Sequence, residues 1–305
     1  MPFVSLSHVT TYKYSQPASF GEHRLMVRPR ESYDQHLLKT ELVIDPVPTE
    51  VRWLHDVFGN SVAIASFDRR ATHLRIESSA HVLHYPSELE DVHIEDYART
   101  YPFTYSSEEM PDLLRSIERQ HLDPGRSIDT WARRFVGKPG SSTLAMLTDM
   151  TSAIKQEFTY LPRYQKGTQT PIETLARRTG TCRDYAMLMI EAVRALGLAA
   201  RFVSGYVYNP TGRRRRLGGG NTHAWVRIYL PGSGWVEFDP TNAIIGTSGL
   251  IRVAIARDIY QAVPVSGTWS GFPGSFLGMD VAVDAHVEIT EHTDAGLPTP
   301  LSGDI

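Results

Sequence analysis

The chain has 305 residues, 41% of them hydrophobic, and carries 31 Lys and Arg against 34 Asp and Glu, a formal net charge of −3 at pH 7. This exceeds one ordinary domain of roughly 100–200 residues and is ample for a sizeable core; the near-neutral balance gives no reason to expect nucleic acid or an anionic membrane as a partner, and a single cysteine excludes an internal disulfide framework. No segment approaches the roughly 18 apolar residues of a membrane span, and the opening MPFVSLSHVTTYKY lacks the basic and apolar regions of a secretory signal, so a cytoplasmic protein with a reduced thiol is expected.

Residues 1–100 read as strands. FVSLSHVTTYKY, HRLMVRP, LKTELVID, SVAIASF and THLRIESSAHVLHY are rich in β-branched and aromatic residues, and several alternate apolar with polar. Gln16-Pro17, Pro29-Arg30-Glu31-Ser32, Asp45-Pro46 and Gly59-Asn60 supply turn chemistry between them. Strands without intervening helices predict an antiparallel, sandwich-like N-terminal domain. His81 and His84 stand three apart in a strand-like stretch, so they face opposite ways and no metal is expected there.

From about residue 105 the period changes. SSEEMPDLLRSIERQHL, SIDTWARRFVG and STLAMLTDMTSAIKQEF carry apolar residues at helical spacing, with Ser141 or Ser142 as a cap for the third. A short helix, PIETLARR, opens on Pro171. The helix containing the cysteine follows, then strands AARFVSGYVY, THAWVRIYL and GWVEFDPT. A late alternating strand, MDVAVDAHVEI, precedes a polar tail from about Thr293. The fold class is therefore α+β, divided into an N-terminal β domain over 1–100, a core over 101–262 and a C-terminal extension over 263–305.

Cys182 opens its helix. Thr181-x-x-Asp184 fits a capping box, Ala186, Met187, Met189, Ile190, Val193 and Leu196 form an apolar face, and Gly197 stops the helix. A lone cysteine is ordinarily a small buried hydrophobe. A thiol in the first turn is different, because free backbone N–H groups and the helix dipole favour its thiolate. A nucleophilic thiol also needs an imidazole and a group to orient it.

Among twelve histidines, His223 stands out. In THAWVRIYL it shares a face with Trp225, Arg227 and Tyr229, while Ala224, Val226, Ile228 and Leu230 form the core face. In GWVEFDPT, Trp235, Glu237 and Asp239 take the face opposite Val236 and Phe238. The PGSG connection predicts a hairpin. With Tyr229 opposite Trp235, Arg227 opposes Glu237, and His223 and Asp239 lie diagonal on one face. A helix-borne cysteine facing a strand-borne histidine and aspartate is triad logic in thiol form. Taken alone, Asp239 would be a turn residue before Pro240.

GTCRDYAMLMIEAVRALGLAARFVSGY and NTHAWVRIYLPGSGWVEFDPTN, in that order, resemble the transglutaminase-like superfamily of papain-related folds, and within it bacterial transglutaminase-like proteins classed with the cysteine proteases. HVTTYKYSQPASFGEHRLMVRPR followed by WLHDVFGN resembles that group's N-terminal β domain, and ARDIYQAVPVSGTWSG extends the likeness. The resemblance implies a Cys182, His223, Asp239 triad and a structural ion pair between Arg257 and Asp258. Where many relatives read Gln-Asp-Phe-Ala-His after the cysteine, this chain has Arg183-Asp184-Tyr185-Ala186-Met187.

The expected activity is hydrolysis of a peptide or protein amide, with no cofactor, metal, nucleic acid or membrane. The backbone N–H of Cys182 and a second donor, Tyr160 or Gln165, would hold the oxyanion. Trp225 and Trp235 pack the site or line the acyl groove. Asp184 caps the helix. Arg213 to Arg216 form a solvated loop or a rim that attracts acidic substrates. Two alternatives stand beside hydrolysis: amine transfer by the same residues, and a binding or scaffold protein without turnover, against which the intact Cys, His and Asp argue.

Overall fold

The computed structural model describes residues 2–138, 140–162, 167–210 and 216–288. Its N-terminal sheet is organised by one long strand, β1 (Phe3–Leu25). Val4, Leu6, His8 and Thr10 are buried along it while their neighbours are half-exposed, the period-two pattern of a strand with one face in a core. The other strands of residues 1–100 are β2 (Gln35–Asp45), β3 (Glu50–His55), β4 (Ser61–Ser66) and β5 (Arg70–His84). The first half of β1 pairs antiparallel with β5 and its second half with β4. The sheet curls so that Ile44, Leu74 and Ile76 from one half pack with Leu25, Ala63 and Ala65 from the other.

Gln16-Pro17 is not a turn, because β1 runs through it. Pro17 is exposed and falls between Lys13 and Ala18, where the register with β5 shifts, so its missing N–H removes no ladder bond there. β3 is a strand that the sequence reading passed over. All six of its residues are exposed, so no buried face marks it.

The helices are α1 (Met110–Ile117), α2 (Ser127–Arg133), α3 (Thr143–Glu157), α4 (Pro171–Arg177) and α5 (Cys182–Ala195). Ser142 caps α3 by accepting from Ala145 N at 3.2 Å. The second sheet has β6 (Ala200–Val207), β7 (His223–Leu230), β8 (Gly234–Asp239) and β9 (Leu250–Ala256), ordered Ile244–Ile245, β8, β7, β6, β9. α5 packs on this sheet and is buried almost all round. Met187, Leu188, Met189, Ile190 and Val193 are closed off from water, each stabilising by roughly 1.5–3 kcal/mol. Its buried Glu191 and Arg194 pair at 3.1 Å, which satisfies charges that could not be left alone there.

β9 was not anticipated. It is buried along its whole length, so LIRVAIA shows no alternation. It is also the edge of its sheet, and N-terminal side chains finish it. Gln35 Oε1 accepts from Arg252 N and its Nε2 donates to Arg252 O, both at 2.9 Å. Asn60 does the same for Ile255, at 2.9 and 2.7 Å. Two amides thus mimic a neighbouring strand on an edge that would otherwise hold unpaired backbone groups. His8 Nδ1 with Tyr206 Oη at 2.9 Å and His84 Nδ1 with Tyr208 Oη at 2.7 Å add further ties.

Two late strands return to the first sheet. β10 (Val265–Ser270) and β11 (Phe276–Glu288) both pair antiparallel with β1, so residues 265–288 complete the N-terminal sheet. Arg257 and Asp258 do not pair with each other: Arg257 O accepts from Arg194, and Asp258 faces His121 at 3.9 Å. Among the described residues no helix is long and apolar enough to cross a membrane.

A buried charge cluster joins the two sheets. Arg252 donates to Asp34 Oδ2 at 2.9 Å and to Glu237 Oε1 at 3.2 Å, and Arg227 Nε lies 3.0 Å from Glu237 Oε1. Arg252→Ala leaves the buried Asp34 without its cation and Glu237 with Arg227 alone. It should cost about 3–5 kcal/mol in urea unfolding. A loss below about 1 kcal/mol, the range of exposed pairs, would show that the cluster does not hold the sheets together.

Candidate active site

A short parallel bridge of Thr159–Tyr160 with Thr179–Gly180 leads into α5 and sets Tyr160 beside its start. Gly180 is required by crowding, since a Cβ there would lie 2.9 Å from that of Asp184. Asp184 Oδ2 accepts from Thr181 N at 2.8 Å and Thr181 Oγ1 at 2.9 Å, and its Oδ1 accepts from Gln169 N at 2.8 Å. The carboxylate therefore fixes the helix entry, and Cys182 follows as the first helical residue.

The β7–β8 hairpin has the expected register, Tyr229 opposite Trp235 and Arg227 opposite Glu237. That register puts His223 and Asp239 on one face, and His223 Nε2 bonds Asp239 Oδ2 at 2.8 Å. Asp239 also accepts from Thr241 N at 2.9 Å and from Asn242 Nδ2 at 2.8 Å. With Nε2 committed, the ring nitrogen left for the thiol is Nδ1. It is buried and has no conventional hydrogen-bond partner among the described residues.

Cys182 is 3% exposed and His223 and Asp239 are 0% exposed, so their charges interact in a nearly dry site. Burial alone pushes the Cys182 thiol up. The neighbouring His223, helped by the Arg183 charge, outweighs burial and holds the thiol below its ordinary value. Burial pulls His223 down, but Asp239 and the thiol raise it to about 10. Burial pushes Asp239 up, and His223, Asn242 and the Thr241 N–H bring it below the usual carboxylate range. The directions agree on a thiolate, an imidazolium and a carboxylate in sequence. The Tyr160 hydroxyl adjoins the sulfur: burial and the Cys182 charge both raise its pKa.

Residues 4–83 match the bacterial transglutaminase-like N-terminal region, and residues 129–240 match the transglutaminase-like superfamily. The chain belongs to the transglutaminase-like superfamily. An uncharacterized protein of Mycobacterium tuberculosis is 28% identical over 301 residues, covering 92% of this chain and 91% of that protein. A Pseudomonas aeruginosa protein-glutamine gamma-glutamyltransferase is 40% identical over 70 residues, 22% of this chain and 10% of that one. A crystal structure from Cytophaga hutchinsonii, described as a "putative cysteine protease", shares the fold with a TM-score of 0.69 at 21% identity, covering 93% of this chain and 90% of that one. This transglutaminase-like protein is a cysteine-dependent enzyme with a papain-like core.

The other residues singled out from sequence scatter. Trp225 is fully buried with Val203, Val207, Leu250 and Ile255, and its ring stacks on His223 at 5.9 Å, so it backs the imidazole and lines no open groove. Trp235 sits at the other end of β8, between Arg201 at 4.2 Å and Tyr229 at 5.5 Å, away from the thiol. Gln165 and Arg213 to Arg215 lie outside the described residues. Arg216 donates to Ser248 O at 2.6 Å, a structural bond.

Two residues that the sequence reading passed over complete the transglutaminase-like site. Asn242 holds Asp239 and also grips the loop before β7, accepting from Leu217 N at 2.9 Å and donating to Leu217 O at 3.1 Å. Its place in Asp-Pro-Thr-Asn, an Asx-type turn, was the available signal. Gly218 has φ +86°, and a Cβ there would sit 2.4 Å from His223 Nδ1. Only glycine lets this loop lie against the imidazole.

The rate of Cys182 alkylation against pH reads the coupling. The wild-type midpoint should fall well below the ordinary thiol value of ~8.5, because the cation stabilises the thiolate. His223→Ala should move the midpoint upward, and Asp239→Asn upward by less. Gly218→Ala should behave like His223→Ala, since it displaces the ring. Identical profiles for wild type and Asp239→Asn would make Asp239 a turn residue only.

Proposed function

We propose that this enzyme hydrolyses amide bonds of a peptide or protein through Cys182, His223 and Asp239, by way of a thioester. The observation that carries the reading is the buried 2.8 Å bond of His223 Nε2 to Asp239, which leaves Nδ1 for the thiol at the start of α5. The thiolate attacks the carbonyl carbon and a C–S bond forms as the C=O electrons move to oxygen. The Cys182 N–H, which has no intrahelical acceptor at the first helical position, and the Tyr160 hydroxyl are the proposed oxyanion donors. His223 gives its proton to the leaving nitrogen and the C–N bond breaks. The imidazole then takes a proton from water, whose oxygen attacks the thioester; the C–S bond breaks with its electron pair going to sulfur, and the acid leaves with the Cys182 thiolate and His223 imidazolium restored. Asp239 holds the tautomer and the charge of His223 without exchanging protons.

Amine transfer is the second reading, favoured by the matched stretch of the Pseudomonas aeruginosa protein-glutamine gamma-glutamyltransferase. Water and an amine would compete for the same thioester, so partition decides between them. Cys182→Ala should abolish turnover and labelling while leaving thermal unfolding within a few degrees of wild type, because alanine suits a helix. Turnover in that variant would sink the triad. Supplied with a glutamine peptide and a primary amine, a hydrolase yields the free acid and ammonia and leaves the amine unincorporated. Stoichiometric incorporation of the amine would replace hydrolysis by transfer.

A further inference from the structure

Arg183 links the two elements of the site. It follows Cys182 in the first turn of α5, and its Nη2 donates to Thr222 Oγ1 at 2.6 Å, the residue immediately before His223. The guanidinium thus spans from the helix that carries the thiol to the strand that carries the imidazole. It is partly exposed, whereas Cys182, His223 and Asp239 are buried.

The surroundings leave its charge unanswered. Among the described residues its one hydrogen bond goes to that neutral hydroxyl, and it has no carboxylate partner. Asp184 is turned into the helix entry, where it serves Thr181 and Gln169. Asp239 serves His223, Thr241 and Asn242. From the N-terminal sheet, His8 approaches closely enough for burial and the Arg183 charge to hold its pKa at about 4, so it is neutral. Arg216, the described remnant of the basic run, is committed to Ser248 O. A guanidinium has five donors in a planar fork suited to a carboxylate.

We propose that Arg183 is a specificity residue that binds a carboxylate of the substrate close to the attacked amide, so that acidic acyl donors are preferred. This rests on the hydrolase reading and narrows its substrate class. A carboxylate in this position would take the vacant edge of the guanidinium while its carbonyl meets the thiolate, coupling recognition to positioning.

Because Cys182 is the sole cysteine, alkylation reads the site without a natural substrate. Iodoacetate carries the carboxylate and iodoacetamide is its neutral match. At low ionic strength the iodoacetate-to-iodoacetamide rate ratio should fall on the order of tenfold in Arg183→Gln, the size of one charge-assisted hydrogen bond discounted for exposure. Arg183→Lys should recover part of it. Taking the ratio cancels any change in thiol pKa, and the attraction of His223 is common to all variants. Thr222→Val removes the tether and keeps the cation, so it should retain the preference. Paired peptides, acidic and neutral beside the scissile amide, should show the same contrast in KM. An unchanged ratio in Arg183→Gln overturns the proposal, as does Thr222→Val matching Arg183→Gln, which would make Arg183 a strut. If the wild type reacts with iodoacetamide near pH 6 and shows no anionic preference, the hydrolase reading stands and this one falls. If neither reagent reaches Cys182, both fall.

Discussion

The His223–Asp239 hydrogen bond is the constraint around which the core is built. Two ionisable groups held at 2.8 Å with no solvent exposure would be costly if either stood alone. The pair is tolerable because each charge meets the other and the carboxylate has further donors. Asn242 and the Thr241 N–H satisfy the carboxylate, and Asp239 and the neighbouring thiol both favour the charged imidazole. Fixing Nε2 fixes the ring, and fixing the ring decides which nitrogen the sulfur meets. The hairpin register, the Trp225 stack behind the imidazole and the glycine against its Nδ1 edge all serve that one orientation.

The N-terminal sheet belongs to the same construction. The core sheet ends at β9, and its outer backbone groups are taken up by Gln35 and Asn60 with the geometry of a missing strand. Arg252, on that edge, reaches both Asp34 and Glu237, and Glu237 meets Arg227 on the strand that carries His223. A chain of buried charges therefore runs from the first sheet to the hairpin that carries His223 and Asp239. Its members are individually expensive and jointly satisfied, which favours one relative placement of the sheets over its neighbours.

Much of this was legible in the residues because the signals were local. Alternation with a PGSG turn fixed the hairpin register, and with it the shared face of His223 and Asp239. Thr181, Asp184 and Gly197 marked both ends of the cysteine helix. What escaped was set by tertiary context. β9 has two buried faces, so its apolar run carried no period. β3 has none, so it carried no pattern. Pro17 looked like punctuation and proved harmless, because it meets no ladder partner on β5. Trp225 shares a face with His223, as the alternation requires, yet at Trp225 that face is filled by Val203 and Ile255. Asn242 and Gly218 matter through contacts with residues on other elements, which no local window contains.

β1 is flanked along its first half by β5 on one edge and β11 on the other. A ribosome delivers Phe3 before the transglutaminase-like core and Glu288 only after it. Throughout that interval one edge of the longest strand is an open template for foreign strands. The closing loop is long, and contacts of such sequence separation form slowly. Exposure to aggregation is thus greatest before β11 emerges, and a chain cut short just ahead of β11 would strip a neighbour from β1 while keeping Cys182, His223 and Asp239.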